Sequence, residues 1–144
     1  DHFRDPGGAP VRSARVRAAG AIAEAVFAKG TRPPPADRIA WLERELEDFL
    51  ARSGARARLM LGAMIALVSM LAPLFVGRCK PLRALPLEER VRALTALERR
   101  FAEPLLAVKA LLCLIYYEHP SAALEVGFDA ECVPLALPSE RTAR

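Results

Sequence analysis

The chain has few of the residues on which catalysis and metal binding usually depend. Its 144 residues include two histidines and three cysteines, and neither type forms a cluster. Cys79, Cys113 and Cys132 show no CxxC pair, no zinc-site spacing and no disulfide framework. The apolar neighbours of Cys113 favour a small buried side chain there. A bridge between Cys79 and Cys132 stays open on the sequence alone.

Phosphate-binding and nucleophile motifs are missing as well. The chain contains neither GxGxxG nor GxxxxGK[ST], and no serine lies in a nucleophile elbow. The segment 37–52 has no Glu-x-x-His pair, so it does not supply the ligands of a carboxylate-bridged di-iron bundle. We therefore expect no catalytic, cofactor-binding or metal-binding residue in this chain, and no enzymatic activity of its own.

Aromatic residues are only 6% of the sequence, and β-branched residues never cluster. Hydrophobic residues nevertheless make up 53%, largely alanine and leucine, which together with arginine and glutamate favour helices. The sequence predicts an all-α fold, a compact bundle of about five helices. We expect an extended arm at 1–12, a helical domain at 13–129 and an extended tail at 130–144.

Proline, glycine and capping residues divide the helical domain. They predict helices at about 13–28, 37–52, 56–76, 86–101 and 103–118, with a short helical turn near 121–126. Asp37 is predicted to cap the second helix, Pro73 to kink or end the third, and Gly77 to terminate it. The predicted inward faces are Ile39, Leu42, Leu46, Phe49 and Leu50; Leu87, Val91, Leu94, Leu97 and Phe101; and Leu105, Val108, Leu112 and Ile115.

The net charge of +4 comes from arginines that form no long basic block. No nucleic-acid motif accompanies them and no aromatic residues alternate with them, so we expect no nucleic-acid partner. No signal peptide is present in a sequence that starts at Asp1. The compartment therefore stays open between periplasmic or exported and cytoplasmic.

The longest uncharged run extends from Leu59 to Val76, between Arg58 and Arg78. As a helix it is about 27 Å long, slightly less than the hydrocarbon thickness of a bilayer at about 30 Å. Apolar residues on all sides predict burial on every side, in protein or in lipid. Because Pro73 interrupts the run and amphipathic helices flank it, we favour a buried central helix over a membrane span.

Several short segments occur in a suggestive order. They are AIAEAVF at 21–27, GRCKPLRALPLEER at 77–90, KALL at 109–112, YYEHP at 116–120 and VGFD at 126–129. This order resembles a helical module that accompanies FAD-dependent alcohol dehydrogenases and oxidases of the GMC type. Such a module forms subunit 3 of gluconate 2-dehydrogenase and the N-terminal region of long-chain alcohol oxidases. The resemblance covers 21–129 and departs from the pattern at Ala28, Leu82 and Phe128.

The resemblance implies a non-catalytic accessory subunit that binds and stabilises a flavoprotein large subunit, in which the FAD resides. The predicted contact residues are Tyr116, Tyr117, His119 and Phe128, because aromatic side chains dominate interface energetics. Core packing for the two tyrosines and a turn role for His119 remain alternatives. Two other functions also stay open: a small membrane protein anchored by 59–76, and a free-standing helical module that binds a hydrophobic ligand.

Overall fold

A computed structural model describes residues 13–128 of the chain. Within that range it contains six α-helices and no strand, which confirms the all-α prediction. The helices are α1 (Ala14–Val26), α2 (Ala36–Arg52), α3 (Ala55–Leu71), α4 (Leu87–Arg100), α5 (Ala102–Tyr117) and α6 (Pro120–Glu125). Two 3₁₀ turns, Ala72–Val76 and Leu82–Ala84, lie between α3 and α4. The predicted arm 1–12, the tail 130–144 and Cys132 of the suggested bridge lie outside the described residues.

The central helix of the bundle is α1. It contacts α2, α3, α4 and α5, and more than half of its residues are buried. Alanine and glycine dominate its surface, so neighbouring backbones can approach closely, while Val16 and Ile22 fill the remaining space. Ser13 caps its first turn by accepting a hydrogen bond from the backbone N–H of Val16 at 3.3 Å.

Arg90 attaches α4 to this central helix. Its guanidinium donates to the Glu24 carboxylate on α1 at 2.7 Å and to the Leu85 carbonyl at 2.9 Å. Arg90 and Glu24 are both half-buried, which shields the pair from solvent screening more than a surface pair. The pair thus sets how α4 lies across α1.

The helix α2 begins one residue before the predicted cap. Pro35 has extended backbone angles and occupies the N-cap position, whereas Asp37 lies in the first turn. The prediction of Asp37 as the cap is therefore wrong, because the last proline of the Pro33–Pro35 run already ends the extended segment. From the first turn the Asp37 carboxylate still interacts favourably with the positive end of the helix dipole.

The predicted buried central helix is also wrong for the packing of residues 13–128, where the neighbouring helices leave one side of α3 uncovered. Its buried residues are Gly62, Ile65, Val68 and Ser69, which share one side of the helix. On the opposite side Leu59, Met60, Leu67 and Met70 are between 48% and 66% exposed. Neighbouring helices cover only one side of α3, so its apolar residues continue onto the protein surface.

Two other predicted core positions are exposed, namely Phe49 on α2 (46%) and Phe101 (54%). Phe101 does not extend the inner face of α4, because it forms the extended junction between α4 and α5 at φ −141°. Its ring lies 6.2 Å from that of Phe75. The other residues of the predicted inward faces are buried or half-buried, as expected.

The end of α3 agrees with the prediction made from Pro73 and Gly77. The α-helix ends at Leu71, because Pro73 has no N–H, and the chain tightens into the 3₁₀ turn Ala72–Val76. Gly77 then adopts φ +72°, and the Arg78 N–H donates to the Pro73 carbonyl at 3.0 Å. A left-handed glycine here ends the helix and satisfies its last carbonyls.

We expect Gly77→Ala to lower the free energy of unfolding by about 1 kcal/mol, because an L side chain in the left-handed region clashes with its own backbone. Gly77→Asn is the matched control, because asparagine adopts the left-handed region more readily than alanine. Urea unfolding of both variants is the measurement. Equal midpoints would contradict the strain assigned to Gly77.

Candidate partner-binding site

The four predicted contact residues lie at one end of the bundle, on the last turn of α5 and around α6. Tyr116 and Tyr117 are consecutive on α5 and therefore point in different directions. Tyr116 is buried and stacks on Phe27 of α1, with ring centroids 3.8 Å apart. Tyr117 is 40% exposed and meets Phe27 and Tyr116 edge-on, at 5.9 Å and 5.4 Å. Tyr116 thus belongs to the core and supports Tyr117, which reaches the surface.

His119 precedes α6 and packs against α2 instead of facing the tyrosines. Its ring meets Trp41 edge-on at a centroid distance of 5.5 Å. The Ser121 hydroxyl and His119 Nδ1 are 2.9 Å apart, and Asp37 Oδ2 lies 3.9 Å from Nε2. This half-buried histidine therefore helps to seat the start of α6 on α2.

Arg38 of α2 connects this end of the bundle. Its guanidinium donates to the Tyr116 hydroxyl at 3.3 Å and to the Ser121 hydroxyl at 3.0 Å, and it pairs with the Glu125 carboxylate. Lys29 pairs with the same carboxylate. Lys29 and Arg38 lower the pKa of Glu125 to about 2, and Glu125 in turn raises the pKa of Arg38. One charged cluster therefore holds α6 against α2 and α5.

The pairing of Glu125 predicts a loss of stability in acid. Its folded pKa of about 2 lies below the usual glutamate pKa of about 4.3, so its contribution is complete above about pH 4.3 and disappears as the pH falls through about 2. We expect Glu125→Gln to lower the melting temperature at neutral pH and to match the wild type near pH 2.

The matched control is Glu118→Gln, because Glu118 is exposed and forms no ion pair with any described residue. This control should melt like the wild type across the same pH series. A gap between Glu125→Gln and the wild type that stays constant down to about pH 2 would contradict the assigned pKa.

An apolar groove runs beside Tyr117, between the outer side of α5 and the end of α6. Its volume is about 600 Å³ and it is open to solvent along one side. Glu118 is the one charged residue among those that line it: Ala110, Cys113, Leu114, Tyr117, Glu118, Ala123, Val126 and Phe128. Of the predicted contact residues, Tyr117 and Phe128 lie in this α5–α6 groove, whereas Tyr116 and His119 do not.

Backbone geometry after α6 brings Phe128 to the groove. Gly127 adopts φ +80°, and the Phe128 N–H donates back to the Ala123 carbonyl at 3.0 Å. The Gly127 N–H donates to the Leu124 carbonyl at 3.0 Å, which completes a Schellman turn. The turn reverses the chain, so that Phe128, 67% exposed, lies beside Val126 on the same side of α6 as Ala123.

The sequence did not predict Leu114 and Val126 as part of the site, although they are 70% and 61% exposed. A signal was present in α5, because Leu106, Ala110, Leu114 and Tyr117 repeat at helical spacing beside the buried row Leu105, Val108, Leu112 and Ile115. We identified one apolar row on α5, and the helix has two.

The groove offers no activated side chain for chemistry. Burial raises the pKa of the Cys113 thiol, and Lys109 only partly opposes this effect, so the thiol stays protonated at neutral pH. Residues 13–128 contain no group of three or more His, Cys, Asp or Glu side chains that could hold a metal ion. What the groove presents is apolar and aromatic surface.

Comparisons with protein-family models, with curated proteins and with solved structures give no match to this chain.

Proposed function

We propose that this chain is a non-catalytic accessory subunit that uses the α5–α6 groove to bind and stabilise the large subunit of a GMC-type, FAD-dependent alcohol dehydrogenase or oxidase. The single observation that carries the proposal is the groove itself. Leu114, Tyr117, Val126 and Phe128 are each at least 40% exposed there, on a scaffold held rigid by Arg38 and Tyr116.

The character of the groove supports binding of another protein. Interface cores are rich in aromatic side chains and poor in charge, and the groove has two aromatic rings and one carboxylate. Tyr117 is braced by Phe27 and Tyr116, so it loses little freedom when a partner covers it. Rigid aromatic side chains of this kind are typical binding hot spots.

The family resemblance supports the choice of partner. Two of its segments, 116–120 and 126–129, supply Tyr117, Val126 and Phe128, which line the groove. The FAD and the reacting groups belong to the large subunit in this proposal. The accessory chain provides surface only.

Co-expression with the protein encoded by the neighbouring reading frame tests the proposal, which expects that protein to be a GMC-type flavoprotein. We expect a stoichiometric complex that retains FAD, together with a higher melting temperature of the flavoprotein in the complex than alone. A stable, monodisperse accessory chain that never captures this flavoprotein would contradict the proposal.

A second function, binding of a small hydrophobic ligand, is favoured by one observation. The groove volume of about 600 Å³ falls within the range of small-molecule sites, about 300–1,000 Å³. Titration of the purified chain with a fluorescent fatty-acid analogue distinguishes the two functions. Saturable binding of the analogue that Leu114→Glu abolishes would favour a ligand site over a subunit interface.

A further inference from the structure

The exposed side of α3 forms a continuous apolar surface, which we call the α3 outer face. It consists of Leu59, Met60, Ala63, Leu67 and Met70, all on the side opposite the buried Gly62, Ile65 and Val68. Leu74 in the following 3₁₀ turn extends it and is 54% exposed. No charged residue interrupts the face between Arg58 and Arg78. A row of exposed apolar side chains of this length is typical of an interaction surface.

The charged residues that flank this face in the sequence are all basic. Between Phe49 and Leu87 the chain has six basic residues and no acidic residue: Arg52, Arg56, Arg58, Arg78, Lys80 and Arg83. All six are exposed, and they lie before and after the apolar run. Arg56, Arg58, Lys80 and Arg83 form no ion pair with any residue in 13–128. The α3 outer face therefore has unpaired positive charge at both of its ends, which complements a negatively charged partner.

A groove of about 370 Å³ between α1 and α3 adjoins the face at Met70. Arg15, Arg17 and Arg83 line it together with apolar residues, and no acidic side chain does. Ser69 also lines this groove, is 6% exposed, and its hydroxyl has no hydrogen-bond partner. The Ser69 hydroxyl is itself closed off from solvent, so the charge that the groove offers to a ligand comes from the three arginines.

Ala55–Val76 is long and apolar enough to cross a bilayer by length and composition, and only 33% of its most apolar stretch is buried, less than in the core helix of a soluble protein. The surrounding fold is incompatible with a span. The Arg15 side chain crosses α3 at Gly62, where an added Cβ would lie 3.0 Å from Arg15 Cδ. The charged helices α1 and α4 also pack on α3. A spanning α3 would carry these charges into hydrocarbon at high cost.

We propose that the α3 outer face binds the surface of a membrane that contains anionic phospholipids, with the axis of α3 parallel to the bilayer. Leu59, Leu67 and Met70 insert among the acyl chains just below the head groups, as interfacial helices do. The flanking arginines attract the anionic leaflet. The groove beside Met70 receives one lipid phosphate, which accepts hydrogen bonds from Arg15 and Arg83. This binding involves none of the residues that line the α5–α6 groove.

Co-sedimentation of the full chain with vesicles tests the proposal. We expect binding to phosphatidylcholine vesicles that contain phosphatidylglycerol, weaker binding to pure phosphatidylcholine, and a decrease with added salt. The double variant Leu67→Glu and Met70→Glu should bind at least about tenfold more weakly. The matched control is the double variant Leu106→Glu and Leu124→Glu, because it adds the same two charges at exposed positions (63% and 64%) on α5 and α6, and it should bind much more strongly than the α3 double variant. Circular dichroism verifies that each variant is folded.

Three outcomes would overturn the proposal. The chain stays in the supernatant with both kinds of vesicle, or the α3 double variant binds as strongly as the wild type. In the third outcome the wild type binds no vesicles and is a dimer in solution, whereas the α3 double variant is a monomer. This result would assign the α3 outer face to contact with a second copy of the chain. Inorganic phosphate is the remaining probe: thermal stabilisation by phosphate without vesicle binding would assign the groove to a free anion.

Discussion

Replacing Leu112 by alanine is expected to lower the free energy of unfolding by about 3 kcal/mol. Leu112 is fully buried on the inner side of α5, within the core that α1 and α2 share. Removal of three carbons there loses their transfer free energy and leaves a cavity that close-packed neighbours only partly fill. Single domains are typically stable by about 5–15 kcal/mol, so this one change removes a large share of the total.

The control for this prediction lies two residues further along the same helix. Leu114 is 70% exposed, so Leu114→Ala removes the same atoms from a solvated position and should change stability by no more than about 0.5 kcal/mol. Urea unfolding with equal m-values for both variants is the measurement. If both variants unfolded at the same midpoint, α5 would not pack through the row Leu105, Val108, Leu112 and Ile115.

The contrast between Leu112 and Leu114 shows how far the sequence could predict the bundle. Helix positions followed from proline, glycine and periodicity, because these act through local backbone chemistry. The inward faces of α2 and α4 were mostly predicted as well, since charged residues mark their outer sides. Phe49 and Phe101 were the exceptions. Leu50, not Phe49, continues the buried row of α2, and Phe101 lies in the junction between α4 and α5.

The exposed side of α3 and the second apolar row of α5 were harder to predict from sequence, for one physical reason. An apolar row defines an inward face only when the opposite side is polar, and both helices carry apolar residues on both sides. Which side is buried then depends on the neighbouring helices. The alanine-rich α1 occupies the centre because its small residues allow close approach, and hydropathy does not measure this property. With α1 in the centre, α3 lies at the periphery.

The candidate site was predicted only in part, because the orientation of its side chains depends on residues that are distant in the sequence. Tyr117 and Phe128 were predicted as contact residues, and both line the α5–α6 groove. Tyr116 could not be separated from Tyr117 by sequence, because their orientations depend on Phe27, which is about ninety residues away. The cluster of Lys29, Arg38 and Glu125 was missed because Glu125 lies 96 residues from Lys29 and 87 residues from Arg38 in the sequence.

The second large effect is expected in binding of the proposed flavoprotein partner. Leu114→Glu places a carboxylate in the middle of the α5–α6 groove, close to Tyr117 and the existing Glu118. A bound partner would desolvate this charge without pairing it, which costs about 2 kcal/mol or more at a hot spot and raises Kd about thirtyfold. Surface plasmon resonance with the immobilised flavoprotein measures this change.

Leu106→Glu is the control for this binding experiment. Leu106 lies on α5 eight residues before Leu114, about 12 Å away along the helix, and does not line the groove. Both glutamates occupy exposed positions of one helix, so a general effect of added charge would weaken both variants equally. A selective loss in Leu114→Glu locates the contact at the groove, because the two variants differ only in where along α5 the carboxylate lies. Unchanged affinity of Leu114→Glu would move the subunit contact to another surface of the bundle.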